Sequence, residues 1–593
     1  MRLRAATLAL SALLIGGAGA WTPFAPSPAR AQSAEPQPAD ALVEDVEVRV
    51  GPVWFRAKRI EFRGANLPAA DLRGLFDTAS GESLGGRIAK LTAAEIVIPE
   101  LVSEASGPGG TQITTYRDVR LRQVRAGQVA SMAAAAGVIM AKGSGGSSSG
   151  EFARVAIEEV DLGHIAAVFA GRPGPAEMKR VYGAVRVEEL KLTDPKGATS
   201  RIAGMTARDL KAKPLPAGLA GAMTALAAGS DPKAASPAER RRVFGITADL
   251  LESLEIGSFE ATGMMVETPA DGGSGRIARL AYTGGTKPEL RVEGFDAGGA
   301  DSRVRIASLA LGGYSLAPML TALRDLGASA DEEIGPDRLR ALIPATGSLR
   351  VSDVQISAAR QTPGQRPLGP IGVTIGSIET SAEKPVSGLP TEIRLAFRDV
   401  AFPLPQNPED EALKQLARLG YERVEGSIAG ELAWTESSSE VALRDLSVRG
   451  AEMGSVAVRG VLGNVSRDAF SPDSAVAAVA WVGASLRSLD VTIENGGLAE
   501  RLLRLNARDQ GRTPDDLRRE YGLAAALGIP AMLGASPASR TLAQAVSRFV
   551  AKPGRLTVNV RAKAAAGLGV ADMLAVPDPT AILDQVEISA RAE

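Results

Sequence analysis

The sequence predicts an α+β, β-dominated fold: an elongated array of long bulged antiparallel strands forming curved sheets, with interspersed amphipathic helices. Three observations predict it. The first is a recurring pattern, seen in Val185-Arg186-Val187-Glu188-Glu189-Leu190-Lys191-Leu192, where two alternating apolar positions are followed by two polar residues and two more alternating apolar positions. Alternation marks a strand with one buried face, because successive side chains point to opposite faces. The extra polar residue breaks that parity, and a β-bulge restores it. The second is composition: aromatic residues are 4% of the chain while Gly reaches 65, which suits an aliphatic sheet with irregular strands. The third is a set of helix-start signals placed between blocks of the repeat.

The repeat supplies most elements in order. Copies fall at Leu91, Ala93, Ile96 and Ile98, at Val119, Leu121, Val124 and Ala126, and at Val155, Ile157, Val160 and Leu162. Others begin at Leu254, Val304, Leu349, Val373, Leu395 and Val441. Before them, strands fit Val43–Val50 and Val53–Phe62, and a helix fits Ala69–Phe76. Three Ala-rich apolar stretches, Val129–Ala141, Ala217–Ala228 and Leu523–Leu533, are too short to span a bilayer and read as core helices on the sheet, or as the lining or plug of an apolar groove. Gly143–Gly150 reads as a loop, and a helix is expected near Ala176–Val181.

Ser236-Pro237-Ala238-Glu239 is a capping box that opens a helix reaching about Leu251. Strands are expected at Arg276–Tyr282 and Leu290–Phe295, and helices at Leu316–Leu326 and Pro336–Leu342. Asn407-Pro408-Glu409 has the form of another helix start. Strands fit Val424–Trp434, Val441–Val461 and Ala475–Ile493. The spacing of Leu498, Leu502, Leu503 and Leu505 marks a helix, Thr513-Pro514 starts a second, and Leu542, Val546, Phe549 and Val550 form the stripe of a third. Leu556–Ala562 alternates as a strand, Asp578-Pro579 caps a short helix, and Val586–Ala590 closes the chain as a strand.

These blocks divide the sequence into a signal peptide over 1–31, an N-terminal β-repeat region with a helical insert over 32–250, a central β-repeat region over 251–406, and a C-terminal β-repeat region with a helical subdomain over 407–593. The signal is read from Arg2 and Arg4, the short apolar run Ala5–Gly19, and the small-residue site Ala29-Arg30-Ala31, with the mature chain starting at Gln32. A retained anchor is the alternative. Losing Arg2, Arg4 and Arg30 takes 67 basic residues to 64 against 68 acidic ones, a net charge of −4. No basic field announces a nucleic-acid partner, and without Cys there is neither disulfide nor thiolate chemistry nor a Cys-borne lipid anchor.

Few residues suggest chemistry. His164 is the only histidine and follows a strand end, the position of a surface or helix-start residue. Gly146-Ser147-Ser148-Ser149-Gly150 has the spelling of a nucleophile elbow, with Asp161 and His164 downstream, but lacks its strand-to-helix context. Ser381-Ala382-Glu383-Lys384 spells a Ser-x-x-Lys motif between strands rather than at a helix start. No phosphate-binding or dinucleotide fingerprint is present. The expectation is therefore no catalytic residue, no cofactor and no metal.

The export signal, the runs of bulged strands and the strand Leu486-Arg487-Ser488-Leu489-Asp490-Val491 followed by the Leu498–Leu505 helix resemble the AsmA-like and YdgA-like envelope proteins of Gram-negative bacteria. The resemblance implies a periplasmic location and a role in lipid handling and outer-membrane homeostasis. The usual AsmA plan retains an anchor, whereas this signal reads as cleaved, leaving no transmembrane helix. Two functions stay open: shielding of lipid acyl chains in a groove of the sheet, or an envelope scaffold that binds a partner protein. In the first, Leu254, Ile256, Val304, Ile306, Leu395 and Phe397 are expected on the shared apolar face.

Overall fold

The computed structural model describes residues 39–593 except 51–52, 78–79, 83, 108–109, 144, 172–176, 229–235, 270–271, 329–341, 343–346, 361–367, 388, 406–407, 409, 472 and 576–578. The expected signal segment and the Pro336–Leu342 helix lie outside the described residues, apart from Leu342. The fold is α+β and β-dominated, built from antiparallel strands. It divides into two compact units, residues 1–300 with 312–345, and residues 301–311 with 346–593.

The first unit is a meander. Its strands are β1 (Ala39–Val50), β2 (Val53–Ala65), β3 (Thr92–Gly107), β4 (Gly110–Arg125), β5 (Gln128–Ala134), β6 (Ala136–Gly143), β7 (Gly146–Phe152), β8 (Arg154–Asp161), β9 (Lys179–Thr193), β10 (Thr199–Ala212), β11 (Leu254–Thr268), β12 (Gly273–Thr283) and β13 (Glu289–Gly298). β4 pairs with β5 along one half and β6 along the other, in one register, so β5 and β6 act as a single strand interrupted at Ala135. β7 and β8 do the same against β9, interrupted at Ala153.

The parity correction takes a particular form here. Glu189, Asp209, Glu159, Gln123 and Asp118 sit inside strands with φ of +50°, +51°, +57°, +53° and +48°. The pairs flanking each keep an unchanged register, so the partner strand kinks at the same level instead of facing one surplus residue. Two rows of such kinks cross the unit. One passes through Gly64, Ala94, Gln123, Ala130, Glu159, Gly183, Asp209 and Gly257, and the other through Asp118 and Ala135, then, one residue out of register, through Ala153, Glu189, Ala203, Gly263, Ala278 and Gly294. Except at Ala135 and Ala153, left-handed residues alternate with Ala or Gly, because the kinked backbone leaves little room opposite. A Cβ at Gly257 would lie 2.8 Å from the Asp209 Cβ. The kinks return the apolar residues to one face: Ile157 and Val160, three apart, are both buried, as are Val187 and Leu190.

Against that face lie α1 (Ala69–Gly74), α2 (Leu84–Ile88) and α3 (Leu162–Ala170). α3 touches β1, β5 and β9, strands far apart in the meander, so the sheet curls around it. α3, α4 (Gly218–Ala228), α5 (Pro237–Ser253) and α6 (Ala317–Ala328) pack in succession. α5 starts at the expected capping box: Ser236 Oγ accepts from Glu239 N at 3.3 Å and Glu239 Oε2 accepts from Ser236 N at 2.7 Å.

The second unit holds β14 (Ser302–Gly312), β15 (Ser348–Arg360), β16 (Leu368–Val386), β17 (Leu389–Pro403), β18 (Arg423–Thr435), β19 (Glu440–Gly450), β20 (Gly454–Gly463), β21 (Ser485–Asn495), β22 (Arg555–Ala562), β23 (Leu568–Gly569) and β24 (Val586–Ala592). β15 to β22 pair in sequence order, and β22 pairs next with β24. Asp353 and Asp399, both left-handed, flank Gly376 in a third kink row. Further along, true bulges shift the register between β17 and β18 and between β19 and β20. Helices α7 (Glu411–Arg418), α8 (Ser474–Val482), α9 (Leu498–Gln510), α10 (Pro514–Leu533), α11 (Pro537–Ala551), α12 (Val570–Ala575) and α13 (Pro579–Leu583) complete it.

Several expectations are corrected. Val129–Ala141 forms strands β5 and β6, not a core helix, and Gly146–Gly150 belongs to strand β7, not a loop. Of the helix expected near Ala176–Val181, Ala176 lies outside the described residues and the chain is already in β9 from Lys179; the nearest helix among the described residues is the earlier α3. Ala475–Val482 is helix α8. The N-cap of α7 is Asp410, whose Oδ1 accepts from Ala412 N at 3.0 Å and Leu413 N at 3.1 Å. Leu523 and Leu527 in α10 are exposed, so that stretch is helical without being core.

Candidate apolar ligand site

An apolar chamber of about 210 Å³ opens inside the first unit, between the sheet and its covering helices. β1 contributes Val46, Val48 and Val50, and β2 contributes Val53, Phe55, Ala57 and Ile60. Ile98 and Leu101 of β3, Val119 and Leu121 of β4, and Met132 of β5 complete the sheet side. The helical side is Phe76, Leu84, Ile88 and four residues of α3: Leu162, Ile165, Ala166 and Phe169. The spacing of those four, at 0, 3, 4 and 7, is one helix face. Every lining residue is aliphatic, aromatic or Met. A void so lined repels water, and about 150 Å³ is already enough to hold a benzene-sized guest.

Polar contacts position the covering helices. The buried Arg87 of α2 donates through Nη1 to the carbonyls of Leu75 and Asp77, tying α2 to the segment after α1. Asp161 caps α3 by accepting from His164 N at 2.6 Å, and His164 Nε2 lies 2.9 Å from the Ala212 carbonyl. His164 thus anchors α3 to the end of β10, as a helix-start residue.

A second cavity of about 60 Å³ shares Phe55, Leu101 and Met132 with the chamber. It carries the polar groups the chamber lacks: Gln112, Thr114 and Tyr116 on β4. Gln112 Nε2 donates to Thr114 Oγ1 at 3.4 Å. Burial pushes the Tyr116 phenol up to about 12, against the opposing influence of the Ser103 and Thr114 hydroxyls.

The residues singled out for chemistry are not gathered into a catalytic arrangement. Ser148 lies mid-strand in β7 opposite Ala141, while Asp161 and His164 are engaged at the start of α3. Ser381 pairs with Ser348 and Arg394 within β16, and Lys384 Nζ meets Glu392 at 2.6 Å. Among the described residues no group of three or more acidic or histidine side chains is placed to hold a metal, and no helix is long and apolar enough to cross a membrane.

The expected apolar-face residues fall in both units. Leu254 and Ile256 pack against the core of the first. In the second, Val304, Ile306 and Phe397 are half-buried and Leu395 is exposed. Leu395 is part of an open patch: Ile428, Val448 and Val456 face one another across three strands and are 48%, 51% and 42% exposed, with Leu446 beside them.

Fold and chamber together define an antiparallel meander protein with an internal apolar site. Its C-terminal residues, 447–593, match a family described as "Uncharacterized protein". No curated protein and no solved structure matches the chain.

Proposed function

We propose that the protein is a non-catalytic, periplasmic envelope protein that shields lipid acyl chains, in service of outer-membrane homeostasis. The observation that carries this reading is the chamber: a void of about 210 Å³ without a polar lining residue. At about 30 Å³ each, the share of one water in the liquid and close to that of a methylene, it has room for roughly seven methylenes. Their transfer from water is favourable by about 0.8 kcal/mol each. The expected export signal and the AsmA-like resemblance supply the compartment.

Two measurements test the reading. Native mass spectrometry of protein from the envelope fraction should show a mass starting near Gln32 and a bound aliphatic species. A fluorescent acyl probe with an uncharged ester head should then bind stripped protein at one saturable site. An unprocessed mass starting at Met1 removes the cleaved-signal claim. Absence of both adduct and saturable binding removes the acyl-chain claim.

The open Ile428–Val448–Val456 patch favours a second reading, an envelope scaffold whose second unit docks a partner protein.

A further inference from the structure

We propose that the guest of the chamber is a single aliphatic chain ending in an uncharged polar group, an alcohol, ester or amide, rather than a carboxylate or phosphate. The inference rests on the acyl-chain reading and adds the head-group class to it. The chamber and the smaller cavity share Phe55, Leu101 and Met132 in their walls, so the two are neighbours, and a tail in the first reaches the second where those side chains turn aside. There Gln112, Thr114 and Tyr116 line the wall. Thr114, and Ser103 opposite it on β3, are each only 3% exposed, while Gln112 and Tyr116 are half-buried, so the cluster runs from the core to the edge of the cavity.

The chemistry of the cluster selects the guest. Hydroxyl groups donate and accept, and a carboxamide offers both functions, which matches the hydroxyl or carbonyl of a neutral head. Tyr116 stays protonated at neutral pH and remains a donor. Among the described residues no Lys, Arg or His lines either cavity. An anionic head would leave water without meeting a countercharge, and such burial is strongly unfavourable. A bare hydrocarbon would leave the cluster as it is and gain nothing from it.

Titration of the full chain with 1-octanol, octanoate at pH 8 and octyl phosphate, by displacement of a fluorescent apolar probe, tests the proposal. Octanol is expected to bind at least tenfold more tightly than either anion. Tyr116→Phe and Thr114→Val, each checked by thermal melting, should reduce octanol affinity at least several-fold while leaving the apolar probe unaffected. The wild-type ratio alone keeps the test decisive if a variant fails to fold. Equal or tighter binding of an anion overturns the head-group assignment and leaves the acyl-chain reading standing. No binding by any of the three probes, with no displacement, overturns both.

Discussion

Filling the chamber from α3 separates a binding void from a packing defect. Ala166 is on the wall formed by the α3 face, and it is 8% exposed. Ala166→Phe adds a ring of six carbons to a space that holds roughly seven methylenes at about 30 Å³ each. Displacing about six of them removes on the order of 5 kcal/mol of transfer free energy at about 0.8 kcal/mol per methylene. That is more than a thousandfold in affinity, since each factor of ten is about 1.4 kcal/mol. The folded protein is expected to tolerate the ring, because overpacking costs about 1–3 kcal/mol only where space is already filled. The assay is titration with the fluorescent uncharged acyl-ester probe beside a thermal melt. Lost binding with an unchanged or higher melting temperature is the expected pair of results. Undiminished binding in the folded variant would place the ligand elsewhere and refute the chamber as the site.

Two further outcomes follow from the sheet. Gly257→Val should destabilise the first unit by about 2 kcal/mol, because its Cβ would lie 2.8 Å from the Asp209 Cβ and 3.1 Å from the Arg208 carbonyl. Gly275→Val, whose nearest neighbour would be the Ala297 Cβ at 4.0 Å, should not, and equal melting temperatures for the two variants would contradict the kink geometry. Glu431 is held below its ordinary value of 4.5 by hydrogen bonds first from Arg444 and then from Arg394, against desolvation. A lowered carboxyl stabilises the fold above that value and loses the effect as pH falls through the folded-state value. Glu431→Gln should therefore cost about 0.5 kcal/mol at pH 6 and nothing well below pH 4, read as urea midpoints; a gap that persists in acid would refute the assignment.

The strands were legible where side chains alternate in size and polarity. Glu188-Glu189 and Ser352-Asp353 announce a break in parity because a charge cannot take the buried phase of a strand. Which of each pair turns left-handed is less visible, since it depends on what stands opposite: Glu159 and Asp209 both face Gly183 across the row. The stretches misread as helix or loop are those of small residues. Val129–Ala141 and Gly146–Ser149 have little intrinsic preference, and their conformation is set by the open edges of β4 and β9. Gly137 shows the selection at work, because a Cβ there would lie 2.0 Å from the Phe152 ring, which packs on Tyr116 with centroids 5.8 Å apart. Tertiary context decides such segments, and no local pattern carries it. The chamber is not legible in the sequence for a related reason: Leu162, Ile165, Ala166 and Phe169 form one helix face only because Asp161, the last residue of β8, also serves as the N-cap of α3.

The kinks and the chamber are one construction. In a regular strand, residues three apart point to opposite faces. Yet Ala57 and Ile60 of β2 line the same chamber, and so do Ile98 and Leu101 of β3. On β4, Tyr116 lines the small cavity while Val119, three residues on, lines the chamber that adjoins it. Each pair spans the row that passes through Asp118, where β3 and β4 change phase together. Without that row, half the apolar wall would turn outward and the Arg and Glu side chains now paired outside, such as Arg122 with Glu95 at 3.2 Å, would turn in. The doubled polar residues that interrupt the repeat are therefore what allows long strands to present a continuous apolar wall, and the site is a consequence of the same irregularity that makes the repeat recognisable.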